Sequence, residues 1–560
     1  MKLNKLTVSD YYAEFMASKD VPAVFQLSGG MIAFLADAIF RKGVTRLITN
    51  RHEQASGFAA EGATRATGRT SVALGTSGPG ATNLITAIAS CYFDSIPVLF
   101  VTGQVNTKEL RTSLRQRQNG FQELDIASMV TGITKLTYTP KTAREAVTAL
   151  HSGWIAANTG RPGPVLIDLS IDIQQEYVDF EDSVIENPTP DDLNLIEDST
   201  FALINSALKD AKRPLILVGG GVRSDYSIRE LTEFVRISSI PVVATLMGLD
   251  SVTDIGESYL GFIGSYGNRW ANQALGDCDT LLVLGCRLDP RQTGNDIKRF
   301  KEGKTIIRVD IDQSELDGRV SADIKVNSTI RNFLSDPRLT KETVAQSHLI
   351  SAAREKMKSH PQKNEQEVPL DLNPNAFLEQ ISKIHKNSNG YIVDVGQHQM
   401  WAAQSIRLES HQRFMTSGGL GAMGFSLPAG IGASVSVAGD WIVILGDGCA
   451  QLAAPELQTI VDLNLPIVIY VMNNAQHGMV AQFQDENMQS RYVGTREGYK
   501  VPNFSELAIA YGFKRTFEFT NIDQISDLDL FLKKGGIGPV LVNVEISNEA
   551  KALPKMKVLE

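Results

Sequence analysis

WIVILGDGCAQLAAPELQTIVDLNLPIVIYVMNN, residues 441–474, is the stretch whose reading decides the fold. Two apolar runs, WIVILG and PIVIYVM, bracket a segment with helical spacing, so the unit reads strand, helix, strand. Asp447 and Asn474 each fall where an apolar strand runs out, which in an open parallel sheet is where ligands bind. Asp447 offers a carboxylate oxygen and Asn474 an amide oxygen, hard donors that suit Mg²⁺ and are poor for zinc or copper. Gly446 and Gly448 let the backbone come close to a phosphate, and the helix that follows can aim its N–H groups at one.

The same alternation runs through the rest of the chain. TSVALGTSG and PVLFVTGQ lie in a first block, RPLILVGGG, DTLLVLGCR and KTIIRVDID in a second, and NGYIVDVG joins the opening pair in a third. Alternating β-rich runs and helical patterns predict α/β domains with parallel sheets flanked by helices. Two polar stretches, Gln174–Ser199 and Arg354–Pro374, read as interdomain linkers. They predict three domains, at residues 1–180, 190–350 and 370–548.

At 560 residues and 43% hydrophobic the chain can bury several cores. A net charge of −9 argues against a nucleic-acid partner. There is no apolar run of the length a membrane span needs. The start, MKLNKLTVSDYYAEF, has neither a secretory h-region nor an Arg/Ser-rich transit pattern. Cys91, Cys278, Cys286 and Cys449 show no CxxC spacing. A cytoplasmic protein with reduced core thiols is the expectation.

In the first block, small or apolar residues recur after Glu53 at Ala55, Phe58, Ala59, Gly62, Ala63 and Ala66, a helical face on which another helix can approach closely. Glu53 opens that helix, where a carboxylate also stabilises the N-terminus electrostatically. In the second block, a strand followed by Gly219, Gly220 and Gly221 reads as a phosphate loop.

RHEQASGFAAEG, TSGPGATN, DSIPVLFVTGQV, FQELDI, GRPGPVLIDL, VDVGQHQMWAAQ, GGLGAMGFSLPAGIGA, GDG and NNAQHGMV occur in one order along nearly the whole chain. That series resembles the acetolactate synthase family of thiamine diphosphate enzymes. The resemblance implies a pyrimidine-binding domain, a central domain and a diphosphate-binding domain. It implies an enzyme that decarboxylates pyruvate and transfers the two-carbon unit to a 2-keto acid acceptor. Glu53 then hydrogen-bonds the cofactor's aminopyrimidine and favours its imino tautomer. Asp447, Asn474 and the main-chain oxygen of Gln476 resemble the Mg²⁺ ligands. Gln397 and His398 match diphosphate contacts, Gly421 and Met423 match residues at the aminopyrimidine, and Gln104 lies near the cofactor in relatives. Phe121, Gln122 and Lys135 resemble residues near the bound intermediate; read without the family they are a core phenylalanine and two solvated polar residues. In the central block Arg287, Asp289 and Arg291 keep a segment that, with the glycine loop, binds FAD in relatives, and Arg291 reaches their active site. Some decarboxylases of this architecture carry no flavin, so FAD is implied by resemblance alone. The family also implies a homodimer or homotetramer in which the Glu53 domain meets the Asp447 domain of another subunit, with the small-residue helix as the contact face.

Three departures open alternatives. Phe483 stands where relatives usually carry a tryptophan that favours 2-ketobutyrate. GFIGSYGNRWANQ is longer than the usual segment. RTSLRQRQNGFQELDI and QSRYVGTREGYKVPNF look more like a subgroup that transfers the two-carbon unit to a nucleotide-linked ketosugar for surface polysaccharide. They add Arg111, Arg115, Arg117, Arg491 and Arg496, which could hold a diphosphate bidentately or form a solvated face. A thiamine diphosphate-binding partner protein without turnover is the remaining alternative, against which Glu53 and both metal-ligand residues are intact.

Overall fold

The structure, a computed structural model, describes residues 6–113, 115–178, 195–340, 347–535 and 538–556. Three six-stranded, all-parallel sheets, each flanked by helices, follow one another along the chain. The first comprises β1 (Val24–Gln26), β2 (Leu47–Thr49), β3 (Ser71–Gly75), β4 (Val98–Gln104), β5 (Leu136–Tyr138) and β6 (Val165–Ser170), in spatial order 2-1-3-4-6-5. The second comprises β7 (Pro214–Val218), β8 (Val242–Ala244), β9 (Tyr259–Phe262), β10 (Thr280–Leu284), β11 (Thr305–Asp310) and β12 (Ile324–Asn327), in order 12-11-10-7-8-9. The third comprises β13 (Gly390–Val393), β14 (Arg413–Met415), β15 (Trp441–Gly446), β16 (Ile467–Asn473), β17 (Thr516–Phe519) and β18 (Val540–Glu545), in order 14-13-15-16-18-17. The first and third sheets thus share one topology. The second, counted from its own first strand, has the 3-2-1-4-5-6 order of dinucleotide-binding folds.

Central strands such as Val98–Gln104 and Thr280–Leu284 are buried on both faces, as their unbroken apolar runs require in a parallel sheet covered by helices. The opening stretch behaves as read: β15 and β16 pair in parallel from Trp441↔Ile467 to Gly446↔Met472, with the helices Asp447–Ala453 and Glu456–Asp462 between them. The stretch expected to link the second and third domains is partly helical, because helix Ser347–Ser359 runs into it and a 3-10 turn follows at Gln362–Glu365. Most of the other linker lies outside the described residues.

Helix α1 (Glu53–Thr67) is capped by His52, whose Nδ1 accepts from the Gln54 N–H at 3.1 Å, and ends on Gly68 in the left-handed region. Its small face does what the spacing predicts, but inside the chain. It packs lengthwise on α2 (Ser426–Ser436) of the third domain. A Cβ on Gly62 would run into the Ala429 backbone, and one on Gly432 into the Ala59 carbonyl. The expectation that this face meets another subunit is therefore corrected: α2, also built of small residues, occupies it. Asn50 and Arg51 extend the contact through Glu456, with bonds of 2.9 and 2.7 Å.

Replacing Gly432 by valine should lower stability by about 1–3 kcal/mol or more, since neither backbone can withdraw. Gly132→Ala, with open space around the new methyl, should shift it by about 0.5 kcal/mol or less. Thermal and urea unfolding of both variants check this.

Candidate functional site

At the third domain the loops after β13, β14, β15 and β16 converge at the carboxyl edge of the sheet. The topological switch point lies between β13 and β15, and there His398 packs so close to Gly396 and Gly446 that a Cβ on either would meet its ring. His398 is buried and its Nε2 has no partner. Burial pushes its pKa down to about 4, so near neutral pH the ring is uncharged.

Asp447 is buried at the start of its helix. Tyr499 donates its hydroxyl to Asp447 Oδ1 at 2.6 Å, and the Asn474 N–H donates to Oδ2 at 3.1 Å. Burial pushes the Asp447 carboxyl up, and these donors hold it back. The Asn474 amide nitrogen bonds Gln397 Oε1 at 3.0 Å. In that orientation its oxygen faces Asp447 Oδ2 at 3.3 Å and the Gln476 carbonyl at 3.0 Å, three acceptors with no proton between them. Turned over, the amide would donate to both instead. Converging oxygens about 3 Å apart are what one face of an octahedral Mg²⁺ shell, with bonds of about 2.1 Å, requires. The residues present therefore fit a small hard cation with an anionic group at Gly446, Gly448 and His398. Gly448 faces the Met423 ε-methyl and the His477 ring, and Gly421 takes a left-handed φ of 72° in open space. Gln397 donates to Gln482 Oε1 and Ala550 O, both at 3.1 Å, which locks its side chain under the cluster.

At the first domain the corresponding edge gathers Glu53, the turn 76–80 and Gln122. Glu53 is buried, its Oε2 accepts from Asn83 Nδ2 at 2.9 Å, and a Cβ on Gly80 would meet its Oε1. Gln122, at φ 64°, backs onto Gly78. Phe121 is 80% exposed on the same loop, so it is not the core phenylalanine that its composition alone suggests. Gln104 turns inward: its amide donates to Asp168 Oδ2 at 2.9 Å and Leu124 O at 2.7 Å. Lys135 is not brought to this edge. It precedes β5 at the opposite end of the sheet, and its Nζ donates to Thr159 O at 2.6 Å.

At the central domain a cavity of about 1320 Å³ opens at the switch point between β7 and β10. Arg287, Asp289 and Arg291 line it, as do Gly219, Gly220 and Gly221. The outer two glycines have a further reason to lack side chains: a Cβ on Gly219 or Gly221 would strike Gly285, whose loop follows β10. Asp289 also caps the short helix after it through the Arg291 N–H at 2.7 Å. The cavity extends to Met479 and Phe483 of the third domain.

The arginines divide. Arg111 lies 3.4 Å from Asp125, and Arg496 donates to Gln476 Oε1 at 2.5 Å and Asn548 O at 2.8 Å, so both serve the protein itself. Arg115, Arg117 and Arg491 are exposed. Sequence reasoning missed Tyr499, Asn83 and Asp168, which no spacing signal links to the residues they bond.

The thiamine pyrophosphate enzyme models match in chain order: the N-terminal binding domain at residues 6–129, the central domain at 202–336 and the C-terminal binding domain at 394–544. The chain is 34% identical to the acetolactate synthase isozyme 2 large subunit of Escherichia coli, over 96% of this chain and 95% of that one. It is 32% identical to the acetolactate synthase large subunit of Cyanidium caldarium, over 99% and 96%. It is 34% identical to chloroplastic acetolactate synthase 1 of Nicotiana tabacum, over 98% and 82%.

The chain belongs to the acetolactate synthase family of thiamine pyrophosphate enzymes. The models matched by its first and third domains are thiamine pyrophosphate binding domains, and thiamine diphosphate is the same cofactor. No helix among the described residues is long and apolar enough to cross a membrane.

Asp168, behind Gln104, offers a test of the buried network. Thr102 donates to it at 2.6 Å, yet burial pushes its pKa up to about 7. The native state therefore favours its protonated form. That stabilisation is fully present below about pH 4, declines as pH rises and is lost above about pH 7. Asp168→Asn should flatten the fall in melting temperature between pH 5 and 8, and an unchanged slope would remove Asp168 from the account.

Proposed function

We propose that this enzyme decarboxylates pyruvate and joins the two-carbon unit to the carbonyl of a second 2-keto acid, as an acetolactate synthase. The observation that carries the reading is the convergence of the Asp447 carboxylate, the Asn474 side-chain amide and the Gln476 carbonyl within 3.0–3.3 Å of the amide, beside the unpartnered His398 Nε2. On this reading the cluster holds Mg²⁺, and His398, Gln397, Gly446 and Gly448 receive the diphosphate. Thiamine diphosphate, when bound, would supply a carbon nucleophile for the keto carbonyl and an electron sink for the pair left as CO₂ departs. Glu53, oriented by Asn83 and buried from bulk water, would hold and exchange the aminopyrimidine proton. Met423 and Gly421 position the ring, and Tyr499 leaves Asp447 Oδ2 to the cation by engaging Oδ1. Phe121 and Gln122 face the acceptor side.

FAD fits the central cavity by its place at a 3-2-1-4-5-6 switch point and by Arg287, Asp289 and Arg291 on its walls. Two-carbon transfer needs no net redox step, so a flavin there is structural. The working assembly is a homodimer or homotetramer in which Glu53 of one copy faces the Asp447 cluster of another. A nucleotide-linked ketosugar is the second reading of the acceptor, favoured by the exposed Arg115, Arg117 and Arg491.

Glu53→Gln should retain thiamine diphosphate but exchange its C2 proton about 10²- to 10⁴-fold more slowly, as followed by NMR in deuterated buffer. A wild-type exchange rate would take Glu53 out of the mechanism.

Phe483 is half exposed and lines the central cavity. Incubation with ¹³C-pyruvate and a panel of 2-keto acids and nucleotide ketosugars should yield acetolactate, with little preference for 2-ketobutyrate. Phe483→Trp should raise that preference by about 10- to 200-fold at most. Product from ketosugars alone, lost when Arg115 and Arg491 are replaced, would overturn the 2-keto acid reading.

A further inference from the structure

A second cavity, of about 390 Å³, lies away from the cofactor faces where three parts of the chain meet. Its walls come from the central domain at 249–270, the connecting stretch at 354–365 and the third domain at 375–414. Its charge runs against that of the chain. Arg269, Arg354, Lys363 and Arg407 line it against Glu365 and Glu379, in a protein of net charge −9. Glu365 is already engaged by Arg269 at 2.5 Å, with the His360 ring 3.2 Å away. Among the described residues no carboxylate lies within ion-pair distance of Arg354 or Arg407.

Arg354 is fixed in place. Its Nε donates to Glu257 O at 3.0 Å, and its Nη2 to Gly256 O at 3.1 Å and Tyr259 O at 2.6 Å. These bonds hold one edge of the guanidinium and do not use Nη1. Burial, and then the charge of Arg407, hold its pKa below the ordinary arginine value. Two cations that repel one another across a cavity, one of them pre-oriented, make a receptor for an anion, and guanidinium suits carboxylate and phosphate oxygens alike. Trp270, Tyr259 and Phe414 supply apolar wall, and Trp270 Nε1 is a buried donor without a partner.

The cavity also shares a wall with the large one. Asn268 donates to Gln362 Oε1 at 2.9 Å and Gln404 O at 3.2 Å, and accepts from the Phe262 N–H at 2.9 Å. It thereby ties the turn 262–268 to both other parts, and residues 262–266 of that turn line the large cavity.

We infer that this junction is a binding site for a small organic anion, a carboxylate or phosphate on an apolar body, held by Arg354 and Arg407 and coupled through Asn268 to the large cavity. Phenyl phosphate and benzoate are the probes. Titration calorimetry uses full-length enzyme with saturating thiamine diphosphate, Mg²⁺ and FAD, so that other phosphate sites are filled. At least one probe should bind saturably, and which one binds identifies the head group. Arg407 is exposed, so Arg407→Gln leaves the fold intact, as its melting temperature would verify. It should weaken binding about 10- to 100-fold, the worth of one charge-assisted bond, and Arg407→Lys should recover part of the loss. Binding should quench Trp270 fluorescence, a signal absent from Trp270→Phe, and should raise hydrogen-exchange protection over 259–269. No saturable binding of either probe, or equal affinity in Arg407→Gln, would overturn the site. Binding that leaves 259–269 unprotected would overturn the coupling.

Discussion

Two helices that touch backbone to backbone hold this molecule together. Glu53–Thr67 and Ser426–Ser436 come from domains more than 300 residues apart in the chain, and they meet where Gly62 faces Ala429 and Gly432 faces Ala59. At those two points even a methyl would run into backbone. The contact makes one body of the two domains that carry the cofactor residues. Arg65, near the end of the first helix, continues it: it pairs with Glu61 and Asp94, each at 2.6 Å, and donates to Thr416 O at 3.0 Å. Asp94 in turn accepts the N–H groups of Gly418 and Gly419, at the entrance to the loop that carries Gly421 and Met423. A buried ion cluster of this kind is costly to break because each partner would be left charged and dry. It therefore fixes the loop as firmly as it joins the domains.

The three sheets repeat one solution to ligand binding. At each switch point the loops from two adjacent strands diverge, and at each a residue without a side chain lets them come close. Gly29 meets Thr76 in the first domain, Gly219 and Gly221 meet Gly285 in the second, and Gly446 meets His398 in the third. What differs is the chemistry set around the opening. The first domain presents a buried carboxylate, the second a cavity with arginines and an aspartate, and the third a set of facing oxygens.

The oxygen cluster shows how neighbours define a ligand. Asp447 has two carboxylate oxygens, and Tyr499 engages one of them. Arg496 grips the Gln476 side chain while that residue's carbonyl faces Asn474. Gln397 takes the Asn474 amide nitrogen and so turns its oxygen toward the other two. Turned over, the same amide would donate to Asp447 and Gln476 instead, so its orientation decides whether three oxygens face one another.

Much of this was legible in the chain. The alternation of apolar strand and amphipathic helix, the carboxylate opening the small-residue helix, Asp447 and Asn474 at strand ends and the glycine loop of the central block are local features, set by periodicity and by which residues can end a strand. Tertiary structure alone decided the rest. The order of strands in each sheet, and hence the different topology of the middle domain, depends on which crossovers pack. The partner of the small-residue helix was open from sequence, since any helix with a similar face would fit; the fold supplied one from the same chain. Lys135 precedes its strand, which in a parallel sheet leaves it at the far end, and packing turns Gln104, at the end of β4, inward onto Asp168. Tyr499 is 52 residues from the aspartate it bonds. Such pairings arise from packing between distant segments, and no local pattern of residues encodes them.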